Sequence, residues 1–216
     1  SSNGIDWSYF APQKITEAEK RDCRKENGIE EDDYVFIFLG RLVKDKGIEE
    51  LVTAFLESKI SDRSKLVLLG SFEQDLNPID EEIVRKIKDH PRIVQIEWTD
   101  HVAHYLALAD VLVHPSHREG FPNVLLEAGA MQVPIICSDI IGNTDIVTNK
   151  KTGLVFPVKN KEVLKDALEF AYVKRDFMQQ LADNLYAEVE EKYQRKKMHQ
   201  LILKEYQNSL HLIEGN

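Results

Sequence analysis

Two rhythms of apolar residues alternate along the chain. Six short runs, near 34–39, 65–70, 92–97, 111–114, 133–137 and 153–157, are largely apolar and rich in Val, Ile, Leu and Phe. Runs of that length and kind predict strands buried on both faces. The segments between them favour helix. Helices are expected over 16–27, from the glycine turn at 40–47 to about 58, over 79–89 and 102–108, from Pro122 onward, and briefly from Asn143 to Val147. Thr16 with Glu19 three places on predicts a capping box at the first of these, and Gly28 its end. After the sixth run the pattern is helical only. The 161–173 stretch places Val163, Leu164, Ala167, Leu168 and Ala171 on one face, and a further helix follows over 176–192. Strands alternating with helices predict an α/β fold, a doubly wound, mainly parallel sheet of six strands with extra C-terminal helices. A last stripe, Met198, Leu201, Ile202, Leu203, Tyr206, Leu210 and Ile213, divides 193–216 from the sheet domain at 1–192.

Composition narrows the functions this fold can serve. The chain has 216 residues and a net charge of −9, from 28 basic and 37 acidic side chains. That balance argues against a nucleic-acid binder, which needs a basic face. No apolar run is long enough for a membrane helix. Cys23 and Cys137 stand in a charged helix and an apolar strand, so a disulfide is not expected and a reducing, cytoplasmic setting is. The opening Ser1-Ser2-Asn3-Gly4 lacks a methionine and starts on a turn signal, which suggests a piece of a longer protein. No two glycines have G-x-G spacing, so neither a dinucleotide fingerprint nor a Walker loop is present.

The candidate chemistry centres on residues 117–127, His-Arg-Glu-Gly-Phe-Pro-Asn-Val-Leu-Leu-Glu. This is read as a loop leaving a buried strand and entering a helix at Pro122, a residue suited to a first helical position. The free N–H groups that follow attract anions. Glu119 lies in the loop, and Glu127 lies about 7.5 Å along the helix from Pro122. An anion-binding helix start framed by two carboxylates suits a ligand with a charged middle and hydroxyl-rich ends. A second loop, Gly40-Arg41-Leu42-Val43-Lys44-Asp45-Lys46-Gly47, places Arg41 and Lys46 at a strand's carboxyl end, where open α/β sheets bind ligands. His114 and His117 invite a metal reading, but no carboxylate partner can be placed for either. A packed or hydrogen-bonded role is expected.

These motifs resemble those of the retaining glycosyltransferases of family four. The two carboxylates, Glu119 and Glu127, enclose seven residues beginning Gly120-Phe121-Pro122-Asn123, and Pro115-Ser116 precede them. Gly-Arg, four residues and Lys-Gly at 40–47 match the family's second donor motif, and Gly153-Leu154-Val155-Phe156-Pro157 matches its closing strand. The resemblance runs from Asn3 to at least Pro157. It implies the Rossmann-like C-terminal half of a GT-B enzyme, which binds a nucleoside-diphosphate sugar, with uridine diphosphate the commoner donor. Arg41 and Lys46 would hold the diphosphate, aided by N–H groups after Gly120. Glu127 would take the ribose hydroxyls and Glu119 the sugar. Trp98 and Thr99, where many members carry glycine, would lie beside the base, and Trp98 could stack there or pack inward.

The resemblance also implies metal-free chemistry and no cofactor, with same-face attack assisted by the leaving phosphate and no covalent nucleophile. The transferred group would be a hexose or N-acetylhexosamine, and the acceptor a glycan or lipid-linked sugar in bacterial surface polysaccharide synthesis. That acceptor would be bound by an N-terminal domain upstream of Ser1, and the isolated piece would transfer nothing. The last stripe would cross to that domain, or mediate self-association in its absence. Arg195-Lys196-Lys197 is either a solvated face or a contact with the inner membrane surface. A non-catalytic sugar-nucleotide module and a GT-B epimerase are the alternative readings.

Overall fold

A computed structural model describes residues 4–73 and 77–193. Six strands, β1 (Tyr34–Leu39), β2 (Ser64–Leu69), β3 (Ile93–Ile96), β4 (Val111–His114), β5 (Ile135–Ser138) and β6 (Leu154–Phe156), form one sheet in the order β3-β2-β1-β4-β5-β6. Every pairing is parallel. Parallel strands need crossovers, and each here contains a helix. These are α2 (Ile48–Glu57), α3 (Glu81–Asp89), α4 (Val102–Leu108), α5 (Asn123–Ala130) and the short α6 (Ile141–Thr144). The helix α1 (Glu17–Glu26) precedes the sheet, and α7 (Lys161–Val173) and α8 (Arg175–Lys192) follow it.

The strands are mainly apolar because both faces are covered. Alternate residues of β1 feed two separate cores. Val35, Ile37 and Leu39 pack with Leu106 of α4 and Leu125 and Leu126 of α5, whereas Tyr34, Phe36 and Phe38 pack with Leu51 and Phe55 of α2 and Leu164 and Leu168 of α7. The helix α8 joins the two layers. Its Met178 and Leu181 belong to the second core and its Leu185 and Val189 to the first. The bare Cα of Gly129 lets α5 meet α8, since an added Cβ would lie 3.0 Å from Val189.

The expected capping box forms: Thr16 Oγ1 accepts from the Glu19 N–H at 3.2 Å, and the Glu19 carboxylate accepts from the Thr16 N–H at 2.7 Å. Helix starts differ from expectation by one or two residues: α3 begins at Glu81, not Ile79, α8 at Arg175, not Asp176, and two more lie near the sheet's carboxyl ends. Pro122 has φ −81° and ψ 90°, so it is the N-cap and α5 begins at Asn123. The helix α6 begins at Ile141, not Asn143, because the Ile140 carbonyl accepts from the N–H groups of Asn143 and Thr144. The apolar stripe at 198–213, the basic cluster at 195–197 and the boundary at 193 lie outside the described residues or at their edge. Among the described residues, no helix is long and apolar enough to cross a membrane.

Candidate functional site

The strand order reverses direction between β1 and β4. Open parallel sheets bind ligands in the crevice at such a switch point, outside the strands' carboxyl ends. Two loops flank it here, 40–47 after β1 and 115–122 after β4. They are laced together. The His117 N–H donates to the Asp45 carbonyl at 2.8 Å, and the Arg118 guanidinium donates twice to Asp45 Oδ2, at 3.0 and 2.9 Å. Gly47 allows the close crossing. It is left-handed at φ 72°, and a Cβ there would lie 2.2 Å from the Pro115 carbonyl oxygen. A third loop joins at Gly142, where a Cβ would stand 3.0 Å from the carbonyl oxygens of Glu119 and Gly120.

Within this lacing the structure brings together two of the residues singled out in sequence. Lys46 Nζ donates to Glu119 Oε1 at 2.5 Å across 73 positions of chain, and both side chains are mostly buried. Burial alone would raise the Glu119 pKa, but the His114 ring beside it, the Lys46 hydrogen bond and the Ser116 hydroxyl outweigh it and hold the carboxyl down at about 2. Glu127 is the opposite case. It is half-buried in α5, has no hydrogen-bond or ion-pair partner among the described residues, and burial pushes its pKa up to about 7. The N–H groups of Asn123 and Val124 at the start of α5 likewise have no partner among the described residues. They are the orphan donors that a helix start presents.

Other sequence candidates lie further from the Lys46–Glu119 pair. Arg41 follows Gly40 at the end of β1 but turns toward the β2 loop, donating to Glu73 at 2.8 Å with half its side chain exposed. Trp98 and Thr99 follow β3, two strands from the switch. Trp98 is 58% exposed, so it is not packed, and Thr99 Oγ1 accepts from the His101 N–H. Neither touches the two central loops by a hydrogen bond, ion pair or ring contact among the described residues. Phe121 leans on Tyr193 at the end of α8, 6.1 Å between ring centroids, so its side chain helps to seat the loop. Gly120 and Pro122 flank it, and Asn123 is exposed at the helix start.

The expectation that the histidines lack carboxylate partners is overturned. His114 Nε2 lies 3.1 Å from Glu119 Oε1, and His117 Nε2 lies 2.9 Å from Glu50 Oε1. Glu50 arrives from the first turn of α2, which sequence distance concealed. Asp45, Glu50 and Glu73 were missed as partners, because each meets a side chain on a different loop. Among the described residues, no cluster of three or more His, Cys, Asp or Glu is placed to hold a metal.

Known proteins share both sequence and fold with the chain. The family described as "Glycosyl transferases group 1" matches residues 19–188. The capsular polysaccharide biosynthesis glycosyltransferase CapM of Staphylococcus aureus is 32% identical over 89% of this chain and 50% of its own length. The putative teichuronic acid biosynthesis glycosyltransferase TuaC of Bacillus subtilis is 32% identical over 94% of this chain and 49% of its own. The chain thus spans about half the length of these relatives. Among solved structures, Anabaena Alr3699/HepE in complex with UDP and glucose superposes with a TM-score of 0.85 at 17% identity, over 95% of this chain and 55% of that one. The C-terminal domain of the glycosyl transferase group 1 protein LpcC from Francisella tularensis superposes with a TM-score of 0.76 at 23% identity, over 88% of this chain and 99% of that domain.

Proposed function

The chain belongs to the glycosyl transferases group 1 family, whose fold and sequence pattern it shares over most of its length, and from that premise we propose that it is the donor-binding half of a retaining glycosyltransferase. The observation that carries this reading is the meeting of Lys46 and Glu119 at the β1/β4 switch, with an unpartnered Glu127 and free N–H groups on the helix beyond. In this reading Lys46 grips the diphosphate together with the N–H groups that open α5, and Arg41 swings from Glu73 to join it. Glu127 accepts from the ribose hydroxyls, Glu119 from the sugar, and the exposed Trp98 lies toward the base with Thr99.

The chemistry follows from charge. Cleavage of the sugar–phosphate bond leaves new negative charge on the diphosphate. Fixed cations and a helix start aimed at that charge in a water-poor crevice stabilise the transition state, at a few kcal/mol for each well-placed donor. The sugar turns cation-like as the bond breaks, and the ionised Glu119 helps electrostatically. No metal or cofactor is assigned. HepE was solved with UDP and glucose, which supports a UDP-hexose donor here. CapM and TuaC, named for capsular and teichuronic acid biosynthesis, support a role in bacterial surface polysaccharide synthesis, with the acceptor held by a partner domain in the whole protein. Such an enzyme would work on the cytoplasmic side of the membrane.

Titration calorimetry with UDP and uridine tests this. Lys46→Ala should weaken UDP binding at least about tenfold, the loss of one charge-assisted contact, and leave uridine nearly unchanged. Equal loss for both ligands would remove the diphosphate role.

A further inference from the structure

Lys46 carries two demands that conflict. To grip a diphosphate it must face the ligand, yet its ammonium is held by Glu119 in a largely buried pair. A carboxylate so enclosed is destabilised when its only cation leaves. Whatever draws Lys46 away must therefore be matched by another partner for Glu119. One is in place. His114, the last residue of β4, is 2% exposed, and its Nε2 stands 3.1 Å from the same Oε1 that Lys46 occupies. That approach is off the line of a hydrogen bond, and neither ring nitrogen has a hydrogen-bond partner among the described residues. Buried polar groups are ordinarily satisfied, so an unsatisfied ring beside a carboxylate calls for a reason. Packing alone would be served by an apolar residue.

The neighbouring polar groups are already engaged. His117 is on Glu50, Arg118 on Asp45 and Arg41 on Glu73. Ser116 also reaches the carboxylate, but its hydroxyl donates to the Asp45 and Arg118 carbonyls, so among the described residues His114 is the neighbour of Glu119 with no other partner to leave. We propose that His114 is a positioning residue for donor loading: when a diphosphate draws Lys46 off, the imidazole donates its Nε2–H to Glu119 and keeps that carboxylate ionised and aimed at the sugar. The inference rests on the donor-site reading above and adds a step to it. Loading is then an exchange, in which the ligand gains a cation and Glu119 gains the His114 ring N–H in its place.

The test uses this chain with UDP as probe. Calorimetry should show UDP bound about tenfold more weakly by His114→Phe, because Lys46 can no longer be released at low cost. His114→Gln, which keeps an N–H donor, should stay within about threefold of wild type. Ring nitrogen NMR, assigned with His114→Gln, should show a protected Nε2–H resonance on UDP saturation. The same resonance should appear in Lys46→Met with no ligand. Urea midpoints show which variants fold. If His114→Phe does not, the Lys46→Met resonance decides alone. Equal affinity of the Phe and Gln variants for UDP, or no change at the His114 ring in Lys46→Met, overturns the proposal. A wild-type chain that binds no UDP overturns the donor-site reading instead, and the Lys46→Met spectrum still decides whether the exchange exists.

Discussion

Glu119 and Glu127 stand on one short loop and helix, yet the fold treats them oppositely. The first is pinned between Lys46 and His114 and held ionised down to about pH 2. The second has no partner among the described residues, and burial lifts its pKa to about 7. The difference lies in what each faces. Glu119 sits where the β1 and β4 loops cross, so the Lys46 ammonium reaches it from a distant part of the chain. Glu127 sits further along α5, where neighbours shield it from water without satisfying it. A compensated carboxylate adds to the stability of the fold. An uncompensated one subtracts from it, and such a cost persists where a ligand can repay it.

The largest effect should come from breaking the compensated side. Lys46→Met should cost ~2–4 kcal/mol in urea unfolding at pH 7, because it takes the cation from a mostly buried carboxylate and the His114 N–H replaces it only in part. Glu119→Gln should cost less, since it removes the charge that needed a partner. The Glu119 contribution has a definite pH window. Its folded pKa is below its ordinary 4.5, so the stabilisation is full above about 4.5 and is lost as pH falls toward 2. Over that range wild type should lose stability that Glu119→Gln does not lose. Parallel curves for the two proteins would dissolve the contrast.

Next in size is the uncompensated side, with the opposite sign. The folded pKa of Glu127 lies above its ordinary 4.5, so the fold favours the neutral acid, and stability declines as pH rises from about 4.5 through about 7. Glu127→Gln should therefore match wild type at pH 4 and exceed it by ~1–2 kcal/mol at pH 8, a figure already reduced for partial solvent screening. The same variant should bind uridine and UDP several-fold more weakly. Greater stability with weaker binding would sharpen the comparison, whereas lower stability at pH 8 would break it. The smallest effect belongs to Arg41→Ala. Its pair with Glu73 is solvent-exposed, so stability should change by no more than ~0.5 kcal/mol, even though UDP affinity falls.

Much of this was legible in the chain. Strands buried on both faces have an apolar pattern that needs no tertiary information, and β1 and β4 fall where that pattern puts them. The capping box of α1 is local and equally readable. The candidate site residues stand out through motifs, but their partners do not. Lys46 with Glu119, Glu50 with His117 and Arg41 with Glu73 are joined across 73, 67 and 32 positions by the crossing of loops. No periodicity encodes such meetings. The early start of α6 is instead local: Asn143 turns its side chain inward to Ser138 and the Ile140 carbonyl opens the helix.

The winding order has a kinetic corollary. The sheet grows outward in both directions from the β1–β4 contact, so that contact is a seam between two half-sheets. It closes only after some seventy residues of intervening chain have been ordered. Such remote pairing forms slowly. A nucleotide clasped by the loops on both sides would act as a rivet across the seam, lengthening the lifetime of the folded protein as the unoccupied fraction shrinks.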